Sequence, residues 1–165
     1  MNRGAAHRKA RLLVLLGILL PLMSCSGRQV SEVKIVLFVN GQQHELRADS
    51  TEAAHVIAAV ELLYANAQER LKQIVTDRMI GEVKSGRALE ITYPGPQSLK
   101  TELPGEIEKP VRLLIPLQGE WVGGEENPSV VIFCGFPQYS SGPLWVPKGL
   151  QQLKAVIENL NWESK

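Results

Sequence analysis

The dipeptide Asn40-Gly41 separates two extended runs, and it constrains the fold more than any other feature of the chain. Before it, Val33-Lys34-Ile35-Val36-Leu37-Phe38-Val39 is rich in β-branched and aromatic residues; after it, Gln42 to Ala48 keeps His44, Leu46 and Ala48 on one parity. A two-residue turn that matches the twist of its strands needs positive φ at both central positions, which Asn and Gly tolerate best. The first element is therefore predicted to be an antiparallel β-hairpin, which sets the direction of the sheet for the strands that follow.

Asp49 or Ser50 can cap the next segment, with Glu52 in capping-box spacing from Asp49. Ala53, Ile57, Val60, Tyr64, Ala67, Leu71 and Ile74 recur at steps of three and four and predict one long helix over about 51–75. Period-two alternation from Arg87 to Tyr93 reads as a half-buried strand, and Pro94-Gly95-Pro96 ends it. Val111 to Leu117 is extended, but Pro116 has no N–H to give a neighbour and is expected on an edge or at a bulge. Ser129-Val130-Val131-Ile132-Phe133-Cys134 is apolar on both parities, as a strand covered on both faces should be. Leu150, Leu153, Ile157 and Leu160 carry the stripe of a C-terminal helix over about 149–161, with Pro147 in its first turn. Residues 33–165 thus read as one α+β domain: a mainly antiparallel sheet with an N-terminal β-hairpin and strands near 87, 111 and 129, and the two helices packed on one face. Regular strand–helix alternation is missing, which argues against a doubly wound fold.

Ahead of this domain, Arg3, Arg8, Lys9 and Arg11 precede the apolar run Leu12 to Leu20, the layout of a secretory signal. The run stops at Pro21, short of the roughly 20 apolar residues of a spanning helix. Leu22-Met23-Ser24-Cys25 resembles the lipobox of bacterial lipoproteins: an aliphatic residue, a tolerant position, a small residue and cysteine. The resemblance implies a signal peptide over 1–24, diacylglyceryl transfer to the Cys25 thiol, cleavage before it, and a lipidated tether over 25–32. It implies attachment to a bacterial membrane facing outside the cytoplasm, at the outer membrane in a Gram-negative cell or the outer face of the cytoplasmic membrane in a Gram-positive one. Without residues 1–24 the 18 Lys plus Arg fall to 14 against 17 Asp plus Glu, so a formal charge of +1 becomes −3. No basic excess remains to suggest nucleic acid as a partner.

The mature chain carries His44 and His55 without H-x-x-x-H spacing, and no C-x-x-C, so no metal site or cofactor is predicted. Cys134, within an apolar strand, reads as a buried small hydrophobe rather than a nucleophile. Glu125-Glu126 and Glu106 with Glu108 read as solvated loop charge, and Ser140-Ser141 has no G-x-S-x-G frame. No catalytic constellation is recognisable, and the chain is not expected to be an enzyme. Phe136, Tyr139 and Trp145 crowd a Pro/Gly-rich segment, with Trp121 in the preceding loop. Such rings either fold back over the sheet or act as recognition anchors, since loop aromatics give large contact area at small entropy cost. These four are the candidate binding residues. The expected function is a non-catalytic envelope lipoprotein that binds another envelope protein or polymer. The alternatives are a small-ligand binder using the aromatic loop 136–149 and a hydrolase with an unrecognised site.

Overall fold

The structure is a computed structural model, and it describes residues 32–104, 109–136, 138–139, 142–160 and 162–164. The hairpin forms as the dipeptide dictates: strand β1 (Lys34–Val39) turns through Asn40 at φ 52° and Gly41 at φ 79° into β2 (Gln42–Leu46), with Val39 opposite Gln42. Both turn residues therefore take the left-handed conformation that a β-carbon on residue 41 would strain.

Helix α1 (Thr51–Ala65) is capped by Ser50, whose side chain accepts from the Ala53 N–H at 3.0 Å. The expected helix over 51–75 is cut short. Asn66 ends it by donating its side-chain amide to the Leu62 carbonyl at 2.9 Å. The chain beyond finds better partners than another helical turn: the Gln68 N–H donates to the Trp145 carbonyl at 3.0 Å, and the Leu71 N–H donates to that of Pro143 at 2.8 Å. These bonds make Glu69–Arg70 a short strand, β3. Helix α2 (Asp77–Ser85) then starts at Thr76, whose hydroxyl accepts from the Met79 N–H at 3.3 Å. Of the anticipated stripe, Ala53, Val60, Tyr64 and Ala67 are buried, whereas Ile74 is 83% exposed.

Strands β4 (Arg87–Thr92), β5 (Arg112–Pro116), β6 (Val130–Gly135) and β7 (Leu144–Val146) follow, then helix α3 (Leu150–Glu158) and the two-residue strand β8 (Glu163–Ser164). The sheet runs β3-β7-β6-β5-β4-β1-β2-β8 with every neighbouring pair antiparallel, and a two-residue strand stands at each edge. The α+β class, the hairpin and the C-terminal helix are as the sequence implies. Pro147 precedes α3 rather than joining its first turn; Gly149 occupies the N-cap.

Pro116 is not on an edge, because β5 lies between β4 and β6. It closes the strand instead. The β5–β6 pairing runs only from Arg112 to Leu114, and the Val131 N–H turns to the Trp121 carbonyl at 3.0 Å. A residue with no donor stands where the ladder has already changed partner.

Strand alternation sorts the side chains onto two covered faces. Ile35, Leu37, Leu89, Ile91, Leu113, Ile115 and Ile132 pack with α1 and α3; Val36, Phe38, Ala88, Leu114 and Phe133 pack with α2 and with Leu71, Val75, Trp121, Tyr139 and Trp145. Strand β4 is consequently buried on both faces, not one. The antiparallel register also gives the sheet two ends. Lys34, Thr92, Arg112 and Gly135 form one cross-strand row at the lower end, where β1 begins. Val39 and Arg87 meet at the upper end, beside the Asn40–Gly86 hydrogen bond of 2.9 Å and the loop over 117–129.

Candidate functional site

A charged residue interrupts an otherwise apolar row on the α2 face. Val36, Glu90, Leu114 and Phe133 are successive cross-strand neighbours, and Glu90 is 9% exposed. Its Oε1 accepts from the Lys84 ammonium at 2.7 Å and from the Tyr139 hydroxyl at 2.5 Å, with the Arg112 Nε at 3.8 Å. Lys84 comes from α2, Arg112 from β5 and Tyr139 from the loop after β6, so one carboxylate ties three segments together. The cations also use the rings: the Lys84 Nζ stands 5.0 Å from the Phe38 ring centre, and the Arg112 guanidinium 5.7 Å from that of Tyr139. Burial raises the Tyr139 phenol well above its ordinary range, and the Glu90 charge raises it further, so the ring stays a neutral donor. The arrangement does the chemistry of a buried strut: a carboxylate held by two cations and a phenol.

The four aromatic candidates do not converge on one surface. Trp121, Tyr139 and Trp145 gather on the α2 face, whereas Phe136 packs on the opposite cluster with α1 and α3. Trp121 meets Phe133 nearly edge to face, with centroids 5.3 Å apart and planes at 81°. Trp145, on β7, lies opposite Val131 and Glu69. Tyr139 has its hydroxyl committed to Glu90.

Depressions lie at both ends of the sheet. At the upper end, Glu82, Val83, Gly86, Gln118, Glu120 and Trp121 line one of about 300 Å³. It combines an indole, a side-chain amide and two carboxylates, a set suited to a partner that offers a cation or hydroxyl groups to the carboxylates and an apolar face to the ring. At the lower end, a groove of about 500 Å³ runs between the start of β1 and the loop after β2, edged by Glu32, Lys34, Arg47 and Asp49. There the Arg47 guanidinium lies 3.2 Å from Asp49 and lowers its carboxyl pKa.

Cys134 lies buried on β6 in the cluster with α1 and α3. His44 is half-buried on β2 opposite Leu37, and His55 is exposed on α1, so the two imidazoles occupy different layers. Glu125 and Glu126 are exposed in the upper loop. Cys25, Glu106, Glu108, Ser140 and Ser141 lie outside the described residues, as do the signal peptide and most of the tether. Among the described residues no cluster of metal-ligating side chains occurs, and no helix is long and apolar enough to cross a membrane. Sequence reasoning missed Glu90, Lys84 and Arg112. Glu90 shares its parity with Ala88 on what reads as a half-buried strand, so its carboxylate passes for the solvent side. The available signal was that α2 and the loop after β6 both return to cover that face. The chain matches no family model, no curated protein and no solved structure.

Proposed function

We propose that this protein is a lipid-anchored module of the bacterial cell envelope, held outside the cytoplasm through Cys25, that binds an envelope protein or polymer and does not catalyse a reaction. The observation that carries the reading is the polarity of the chain. The lipobox-like Leu22-Met23-Ser24-Cys25 leads into the lower end of the sheet, while the depression around Trp121 opens at the other end. A module attached at one end and open at the other presents its recognition surface away from the membrane. Trp121 supplies the anchor ring, and Gln118 and Glu120 supply polar contacts beside it. Glu90 serves the scaffold beneath this surface, because Lys84 and Tyr139 hold it inside the fold. The volume near Trp121 lies at the low end for small-ligand pockets, about 300–1,000 Å³, and is the one feature favouring a small-ligand binder.

The test has two arms in intact bacteria. A clickable fatty acid should label the chain, and Cys25→Ala should abolish that label; label retained on the variant would remove the anchor. A photo-cross-linking residue at Gln118 should capture one discrete macromolecule, and the surface variant Glu120→Lys should cut its yield about tenfold, a cost of about 1.4 kcal/mol. Equal yield from both chains would sink the assignment of the upper depression.

A further inference from the structure

Resting on the lipid-anchor reading, we infer that the lower end of the domain lies against the lipid surface itself, with Ile74 inserted among the headgroups as a second contact beside the acylated Cys25. Leu71 and Val75 turn inward to the α2-face cluster, which forces Ile74 between them outward to 83% exposure. Only one other large apolar residue among the described ones is exposed, Leu62 at 53% on α1.

The topology settles which end Ile74 occupies. Strand β6 reaches the lower row at Gly135, opposite Arg112, and β7 starts from that end because it runs antiparallel to β6. The Leu71 N–H bonds the Pro143 carbonyl just before β7 begins, and β3 runs antiparallel to β7, so the chain from Lys72 onward heads toward the lower end of the sheet. Ile74 therefore protrudes at the end where Lys34 opens β1. Exposed Lys72 lies beside it, and exposed Lys100 and Lys109 belong to the excursion that leaves and rejoins the same row; Asp77 and Glu102 are described acidic groups near these lysines, and Glu32 and Asp49 edge the groove beside Lys34. Leu62 sits near the opposite end, one turn before Asn66, whose amide approaches Gly149 above the upper ends of β6 and β7.

The magnitudes show why one side chain suffices. Burying an isoleucine shifts an equilibrium by roughly ten- to a hundredfold, too little to hold a protein on a membrane from solution. The eight steps from Cys25 to Val33, however, span at most about 29 Å. Within that radius the contact is intramolecular, and effective concentrations in the millimolar range turn a weak insertion into a preferred orientation.

The experiment uses the full, acylated chain in phosphatidylethanolamine/phosphatidylglycerol vesicles, with an environment-sensitive NBD fluorophore on Ile74→Cys or Leu62→Cys. Cys134 is buried and stays out of reach of the label. The probe at 74 should shift its emission to shorter wavelength and be quenched at least threefold more by shallow spin-labelled lipids than the probe at 62. A water-like probe at 74, or equal quenching at both sites, overturns the contact. So does a shift that fades when the protein is diluted in excess lipid, since that marks a second copy as the occupant. Mass spectrometry of the same sample decides the anchor separately: no acyl group on Cys25 overturns both readings, whereas an acylated chain with a water-like probe at 74 overturns this one alone.

Discussion

A carboxylate inside a sheet face must be matched donor by donor, because desolvation costs a charged group several kcal/mol before any partner is counted. Glu90 meets this condition with hydrogen bonds from Lys84 and Tyr139 to one oxygen, and the Arg112 guanidinium adds its charge from 3.8 Å without a hydrogen bond from its Nε. Removing a partner is therefore expected to cost more than the partner's own packing. Tyr139→Phe keeps the ring and deletes the hydroxyl; it should lower stability by about 1.5–3 kcal/mol, the range for a hydrogen bond to a charged group. Lys84→Met keeps the aliphatic stem and should cost about 3–5 kcal/mol, as breaking a buried pair does. Urea titrations followed by Trp fluorescence would read both. A Lys84→Met chain as stable as the parent would mean that Arg112 and solvent suffice to hold the carboxylate. Such a result would also uncouple α2 from the loop carrying Tyr139.

At the scale of elements, the turn from α1 into β3 brings the 66–76 segment onto the sheet, and it depends on a close approach at Gly142. A β-carbon there would stand 2.4 Å from the Leu71 carbonyl oxygen, which is backbone and cannot rotate away. Gly142→Ala should force β3 off β7, lowering stability by about 1–3 kcal/mol. Amide hydrogen exchange should quicken at Gln68 and Leu71 while α1 keeps its protection; unchanged exchange at both would show that the edge yields without parting. The same segment shows where sequence reasoning stops. Ala67, Leu71 and Ile74 continue the helical period of Ala53 and Val60, yet the partners that claim their backbone, Trp145 and Pro143, lie some seventy residues on. Local pattern fixed the hairpin, the capped start of α1 and the doubly buried β6, because in each case the deciding residues are neighbours in sequence. Glu90 was illegible for the converse reason: its two donors, Lys84 and Tyr139, and the nearby Arg112 come from segments whose meeting only the tertiary fold arranges.

Across the whole molecule, the three tyrosines of the chain share one property. Tyr64, Tyr93 and Tyr139 are all raised well above the ordinary phenol range, chiefly by burial. Folding favours the neutral phenol in each, so their contribution is fully present below the unfolded value of about pH 10 and is lost as pH climbs beyond it. Absorbance at 295 nm should show no tyrosinate forming near pH 10 in the folded protein. Ionisation should instead coincide with the loss of near-ultraviolet circular dichroism; a reversible titration near pH 10 with the dichroism intact would contradict the burial of at least one ring. The short strands β3 and β8 carry a further consequence for the two margins of the sheet. A long edge of bare backbone along β7 or β2 would invite strand-by-strand polymerisation from copy to copy. With edge strands only two residues long, each margin offers a neighbouring copy too short a ladder to template a fibre.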